Sequence, residues 1–300
     1  RSFYIILKSI GFNVSILEKG YKSYRQFINN YFKNDVKGIN FNVLSGLTGT
    51  GKTFFLKKLS EYQNVLDIEK LANHKGSILG DLPNKSQPSQ KKFESLIWYC
   101  LHNFKDKEKK IWVESESNRI GKLFIPNSLF KKMITGKIFK IEVPFSERVK
   151  FILKDYNYLV EDNKIVYKAL KIFKRFMSKE NLRITEEYYR IRNFKEFVKC
   201  LLKFHYDIVY KKNSYHNQPT VVKIKSVSEK SFKELLDYLW MLKISKVHLK
   251  YNNHKVLNSV SIDFSNINFC CIIGLSGAGK TSLLKLLNFL TLVIYQLSCL

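Results

Sequence analysis

The run Gly38–Glu69, GINFNVLSGLTGTGKTFFLKKLSEYQNVLDIE, decides the fold. It reads as an apolar strand, a glycine-rich loop, a helix and a second strand, the opening of a parallel α/β unit. Within it Gly46-Leu-Thr48-Gly49-Thr50-Gly51-Lys52-Thr53 fits G-x-x-x-x-G-K-[ST], with a strand before it and a helix after it as that motif requires. The glycines let successive backbone N–H groups curl around an anion. The helix N-terminus adds its dipole and free N–H groups, Lys52 brings a point charge to the outer phosphates, and the Thr53 hydroxyl can ligate Mg²⁺. Acids for the metal stand at neighbouring strand ends: Asp67 closes NVLD, and Glu114 and Glu116 close IWVESE. A solvated strand-end carboxylate is the alternative reading of each.

Strand and helix signals alternate outward from this run to about residue 156. FESLIWYCLHNF reads as a helix, KKIWVESES as a strand, IPNSLFKKMI as a helix with Pro126 near its start, KIFKIEV as a strand, and PFSERVKFILKDY as a helix with Pro144 in its first turn. This pattern predicts a parallel sheet with helices on both faces. Upstream, Phe3–Ile10 reads as a helix stopped by Gly11, and Val14–Leu17 as a short strand whose sheet is expected before the first residue. From Tyr158 to about Tyr210 strand signals vanish and basic-aromatic helices take over. A second motif, Gly274-Leu-Ser276-Gly277-Ala278-Gly279-Lys280-Thr281, follows the apolar run FCCIIG, read as a buried strand, and precedes SLLKLLNFL. The expected fold class is therefore α/β: a P-loop NTPase-like parallel sheet with flanking helices, then a basic helical region and a truncated second P-loop unit. Segment boundaries fall at 1–30, 31–157, 158–240 and 241–300.

Across 300 residues, 52 Lys and Arg stand against 25 Asp and Glu, a net charge of +27. This excludes an acidic disordered chain and points to a polyanion: nucleic acid, nucleotide or anionic membrane. A Lys-, Asn-, Ile- and Phe-rich composition of the kind AT-rich coding produces is the competing source of that charge. Lys171, Arg175, Arg190 and Arg192 lie among the rings of the basic helices, a combination that holds RNA backbones and stacks unpaired bases; the alternative makes the rings core and the cations a wet face. Arg119 and Arg148 are candidates for bidentate grip on phosphate or RNA, with surface ion pairs as the alternative. His74 reads as structural. The five cysteines show no CxxC or Cys/His metal pattern. The first twenty residues lack the order of a signal peptide, and Phe289–Leu300 is too short an apolar run to span a bilayer. The expectation is a soluble cytoplasmic protein with no membrane contact of its own.

The strings GLTGTGKT, VLDIEKLANHKGSILG, QPSQKKFE, WVESESNRIG, PFSERV and HYDIVY occur in the order found in bacterial tRNA 2-selenouridine synthases, and residues 1 to about 240 resemble that family. The resemblance implies that residues 1–30 are the tail of a rhodanese-like domain with its linker. It implies an enzyme that replaces sulfur by selenium on 2-thiouridine at the tRNA wobble position, with selenophosphate as donor and geranylation of the sulfur from geranyl diphosphate as a preceding step. Partners implied are tRNA, selenophosphate and geranyl diphosphate. Gly46–Thr53 match the family's phosphate loop, whose ligand is left open between selenophosphate, geranyl diphosphate and ATP. The family's active cysteine lies in the rhodanese loop, and none of the five cysteines here matches it. From Met241 the chain resembles the start of an ABC-transporter ATPase, with Tyr251 placed to stack on adenine. Two other readings stay open: the ATP-binding subunit of an ABC transporter, from Gly274–Thr281, and a small-molecule P-loop kinase, from Gly46–Thr53 with Asp67 and Glu114.

Overall fold

A computed structural model describes residues 2–104, 109–157, 163–212, 218–239, 243–251, 254–263 and 270–291. The chain divides into two units, Arg1–Val221 and Val222–Leu300. The first opens with helix α1 (Ser2–Ser9), stopped at Gly11 by a φ of +88° that returns the Phe12 N–H to the Leu7 carbonyl. Helix α2 (Gly20–Asn34) buries Ile28 and Phe32, four residues apart on one face.

Strand β1 (Phe41–Gly46), helix α3 (Lys52–Leu59) and strand β2 (Val65–Leu66) follow, then the short helix α4 (Ile68–Ala72) and helix α5 (Gln90–His102). Strand β3 (Ile111–Glu114) leads to a hairpin of β4 (Arg119–Ile120) and β5 (Leu123–Phe124). Helix α6 (Asn127–Ile134), strand β6 (Lys137–Glu142) and helix α7 (Phe145–Asp155) complete the alternation, with Pro126 and Pro144 at the N-caps of the two helices. The main sheet has five strands in the order β2-β3-β1-β6-β7, where β7 is Thr220–Lys223. β1 runs parallel to both β3 and β6, and β2 parallel to β3. The architecture is α/β and P-loop NTPase-like. β1 lies where the strand order reverses, so the loop after Gly46 opens at the crevice in which such sheets bind ligands. Val43 of β1, Val113 of β3, Phe93 and Ile97 of α5, and Leu129 of α6 belong to one apolar core.

Helices α8 (Asn163–Phe173), α9 (Lys179–Arg190) and α10 (Phe194–Leu201), a π-helical turn at Leu202–Tyr206 and helix α11 (Asp207–Lys212) form a second core. There Phe173, Tyr189, Phe197 and Tyr206 pack with Val149 of α7. α9 and α10 are separated at Arg192, which turns to φ +57°, and the Asn193 side chain accepts the Glu196 N–H, starting a new helix.

The second unit holds helix α12 (Glu229–Leu239), an antiparallel pair of β8 (Lys243–Tyr251) and β9 (His254–Asp263), and helix α13 (Lys280–Thr291). Two expected strands are absent. Residues 13–17 have no regular structure, and Ile16 and Leu17 are exposed. In the FCCIIG run Phe269 lies outside the described residues, while residues 270–274 are irregular with Cys270, Cys271 and Ile273 exposed. An apolar run becomes a strand only where a neighbouring strand takes its hydrogen bonds, and among the described residues none flanks either run. No helix among the described residues is long and apolar enough to cross a membrane.

Candidate functional site

The loop between β1 and α3 folds around left-handed glycines. Gly49 has φ +83° and Gly51 φ +78°. A Cβ on Gly49 would stand 2.7 Å from Ile152 Cδ1 and 2.9 Å from the Arg148 carbonyl, so α7 packs directly against the loop. At Gly46 the constraint is close approach: a Cβ would lie 2.8 Å from the Ile141 carbonyl of β6. Thr50 is buried and its hydroxyl donates to the Leu47 carbonyl at 2.8 Å, tightening the turn from within. Thr48 offers its carbonyl outward, where Arg148 Nε donates to it at 2.8 Å.

Lys52 is 6% exposed and donates from Nζ to the Gly46 carbonyl at 3.0 Å, with Glu114 Oε1 at 3.4 Å. The Thr53 hydroxyl lies 2.9 Å from Glu114 Oε2 and 3.3 Å from Glu69 Oε2. Glu69, Glu114 and Glu116 each offer a carboxylate oxygen within 4.8 Å of the others. Burial, then repulsion from Glu114, pushes Glu116 up to about 8. Burial and the Glu114 and Glu116 charges hold Glu69 well above the carboxylate range. Burial opposes the charge on Lys52, but Tyr210 and the three glutamates more than offset it, so its ammonium stays charged. One buried cation thus faces three crowded acids. An all-oxygen donor set of this kind fits a hard divalent cation, which would relieve the repulsion.

The sequence candidates are only partly brought together. Thr53 and Glu114 meet, as expected for a metal site. Asp67 does not join them: its carboxylate accepts the Lys70 N–H at 2.9 Å and caps α4. A strand-end acid followed at once by a helix is consumed as an N-cap, and Glu69, in the first turn of α4, enters the cluster instead. Arg148 is no ligand-gripping arginine. It is 3% exposed, forks onto Asp207 at 3.0 and 2.5 Å and holds the Thr48 carbonyl, so it braces the loop itself. Arg119 is exposed in the β4–β5 hairpin, with Nε donating to the Gly121 carbonyl at 2.8 Å. Lys171, Arg175, Arg190 and Arg192 are exposed, with Arg190 paired to Glu187 one turn away. Tyr189 is core, while Tyr167 and Phe176 are exposed, so the rings divide between the core and the charged face.

His74 is buried, accepts the Gly76 N–H on Nδ1 at 3.1 Å, and is held below the usual imidazole range by burial. It fixes the loop 74–81, whose Gly76 presses on the acids: a Cβ there would lie 2.6 Å from both Glu116 Oε2 and Glu69 Oε1. Beside the phosphate loop opens an apolar pocket lined by Thr48, Ser77, Ile152, Phe197, Leu201 and Tyr206 among others. Neither that pocket, nor Glu69, nor Tyr210, whose ring lies 5.7 Å from Lys52 Nζ, is read from sequence. In the second unit Gly277 and Gly279 have φ +80° and +81°, and Lys280 Nζ donates to the Gly274 carbonyl at 2.7 Å, repeating the Lys52 contact. Ser276, Ala278 and Thr281 are exposed.

Fold and loop together define a P-loop α/β domain with three clustered acids beside its glycine-rich loop. Residues 39–182 match the family model of the tRNA 2-selenouridine synthase AAA domain. A protein of Shewanella sediminis named tRNA 2-selenouridine synthase is 34% identical over 151 residues, 50% of this chain and 40% of its own length. Proteins with the same name from Nitrosomonas europaea and Aeromonas salmonicida are 33% and 36% identical over 152 residues, 50% of this chain and 39% of theirs. The match thus spans about 40% of these relatives, and the second phosphate loop lies outside the segment matched by the family model.

Proposed function

We propose that the first unit is the phosphate-binding and tRNA-gripping part of a tRNA 2-selenouridine synthase. The carrying observation is the apolar pocket that shares Thr48 with the phosphate loop. A cradle for charge joined to a greasy slot suits an isoprenoid diphosphate better than a nucleotide. In the geranylation step the C2 sulfur of 2-thiouridine attacks C1 of geranyl diphosphate, the C1–O bond breaks and diphosphate leaves. The loop N–H groups and Lys52 meet the charge growing on that leaving group. Ile152, Phe197 and Leu201 would hold the chain and exclude water from the electrophilic carbon. Mg²⁺, held by Thr53 and Glu114 with Glu69 and Glu116, would neutralise the diphosphate. The selenium of selenophosphate then attacks C2, the C2–S bond breaks with geranylthiolate leaving, and water cleaves the P–Se bond to release phosphate. The exposed Lys171, Arg175, Arg190 and Arg192, with Arg119, supply tRNA phosphate contacts, and a tRNA substrate sets the protein in the cytoplasm.

Calorimetric titration with geranyl diphosphate and Mg²⁺ tests this. Wild-type binding that is lost in Lys52→Ala supports the reading; wild type that ignores geranyl diphosphate yet transfers phosphate from ATP to a small molecule would make it a kinase. For the second unit we propose an independent phosphate cradle at Gly274–Thr281, argued from the repeated lysine-to-carbonyl contact. ATP binding lost in Lys280→Ala and kept in Lys52→Ala is the expected result, and would favour the ABC-type ATPase reading for that segment.

A further inference from the structure

The segment His205–Tyr210, HYDIVY, enters the proposed function only through Tyr206 in the pocket wall, yet three of its side chains reach the site. Tyr210 lies four residues after Tyr206 and three after Asp207, so the three share one side of the helical segment. Tyr206 is buried, and its hydroxyl bonds to Ser77 and to the Leu79 backbone, in the loop that presses on the acids. Asp207 forks onto Arg148, which holds the Thr48 carbonyl of the phosphate loop. Tyr210 sets its ring 5.7 Å from Lys52 Nζ. Ile208 and Val209, between them, point away and are exposed. The segment is a strap pinned to both loops of the site by buried polar contacts, and Tyr210 is the side chain it delivers to the lysine.

We propose that the Tyr210 hydroxyl is a second donor, beside Lys52, to the outer phosphate of the ligand in the first loop. This rests on the phosphate reading of that loop. Lys52 now turns back on Gly46, and a phosphate draws its ammonium outward, toward the ring that already flanks it. The phenol suits that place. A phenol has an ordinary pKa of about 10, so at neutral pH it keeps its O–H to donate. An arginine in that position would collapse onto Glu69, Glu114 and Glu116; a neutral donor adds attraction for phosphate without pairing to the acids. The strap also continues from the basic helices α9 and α10, so the donor is delivered by the part of the chain expected to hold tRNA.

Titration of wild type, Tyr210→Phe and Lys52→Ala with inorganic diphosphate and Mg²⁺ is the test, alongside thermal melts. Tyr210→Phe keeps the ring and its contact with Lys52. It is expected to weaken diphosphate binding about tenfold, the loss of one hydrogen bond to a charged group, with Tm within about 2 °C of wild type. Unchanged diphosphate affinity in Tyr210→Phe, with affinity lost in Lys52→Ala, overturns the role of Tyr210 and leaves the loop reading standing. Wild type that binds no diphosphate overturns both. Weakened binding with a collapsed Tm also counts against the proposal, since it makes Tyr210 a packing residue.

Discussion

Among the described residues, Lys52 is the side chain that both touches the loop carbonyl and faces the three clustered carboxylates, Glu114 buried and Glu69 and Glu116 half-buried. Lys52→Met keeps the length and removes the charge. The acids answer by taking up protons, which limits the loss; the expected destabilisation is about 1–3 kcal/mol by chemical denaturation without divalent cation. A second residue-scale test concerns His205. It is buried in the π-helical turn against the rings of Phe173 at 4.8 Å, Tyr206 at 5.0 Å and Phe176 at 5.4 Å, and its Nδ1 has no hydrogen-bond partner among the described residues. Burial lowers its pKa below the ordinary 6.5. A base depressed in the folded state binds more protons when unfolded, so its contribution is present above about pH 6.5 and fades as pH falls toward the folded value. His74 is depressed by burial too and has the same sign. Glu69 and Glu116, raised in the folded state, act with the opposite sign over the same range, so the readout is the difference between proteins: His205→Phe should gain denaturation midpoint relative to wild type as pH falls from about 7.5 to 5. An equal slope in the variant would assign the effect elsewhere.

At the scale of elements, α7 and the phosphate loop form one packed piece, because Gly49 leaves no room between them. Gly49→Ala meets Ile152 and the Arg148 carbonyl and also forces alanine into φ +83°. The expected cost is about 2 kcal/mol or more, with diphosphate affinity falling alongside, measured by melting and calorimetry. The element pattern from β1 to α7 is legible in the sequence because each piece carries its own local signal: apolar runs for strands, Pro126 and Pro144 for helix starts, glycines for the loop. α2 is passed over although Ile28 and Phe32 hold helical spacing, since polar residues dominate around them. Val14–Leu17 and FCCIIG fail for the opposite reason: a strand depends on partners that a local window does not contain. The site divides along the same line. Gly46–Thr53 and Glu114 are local readings that come together. The Asp67 cap has a local signature too, an acid three residues before Lys70 at a helix start, whereas Glu69, the Arg148–Asp207 pair and Tyr210 depend on contacts between residues far apart along the chain, as Lys52 and Tyr210 are.

For the whole molecule, the excess of cations is the term that composition fixes and the fold distributes. Phe173, Tyr189 and Phe197 turn inward, while Tyr167 and Phe176 stay exposed with Lys171, Arg175, Arg190 and Arg192, so those helices present charge with a few exposed rings beside it. Binding through such a face is dominated by counterion release, with log K falling linearly in log salt by about 0.7–0.9 for each phosphate contacted. If tRNA is held there, affinity should drop by two to three orders of magnitude or more between about 50 and 200 mM salt for six or more contacts. Lys171→Glu with Arg175→Glu removes two cations from one exposed helix end without touching either core. That double variant should flatten the salt slope by about 1.5 and leave diphosphate binding at the loop unchanged. Filter binding over a salt series measures the slope, and the two readouts separate the contributions: a flat slope in wild type places RNA contact off this face, while a diphosphate affinity that moves with the helix charges would mean that the face and the loop are coupled through the strap at His205–Tyr210.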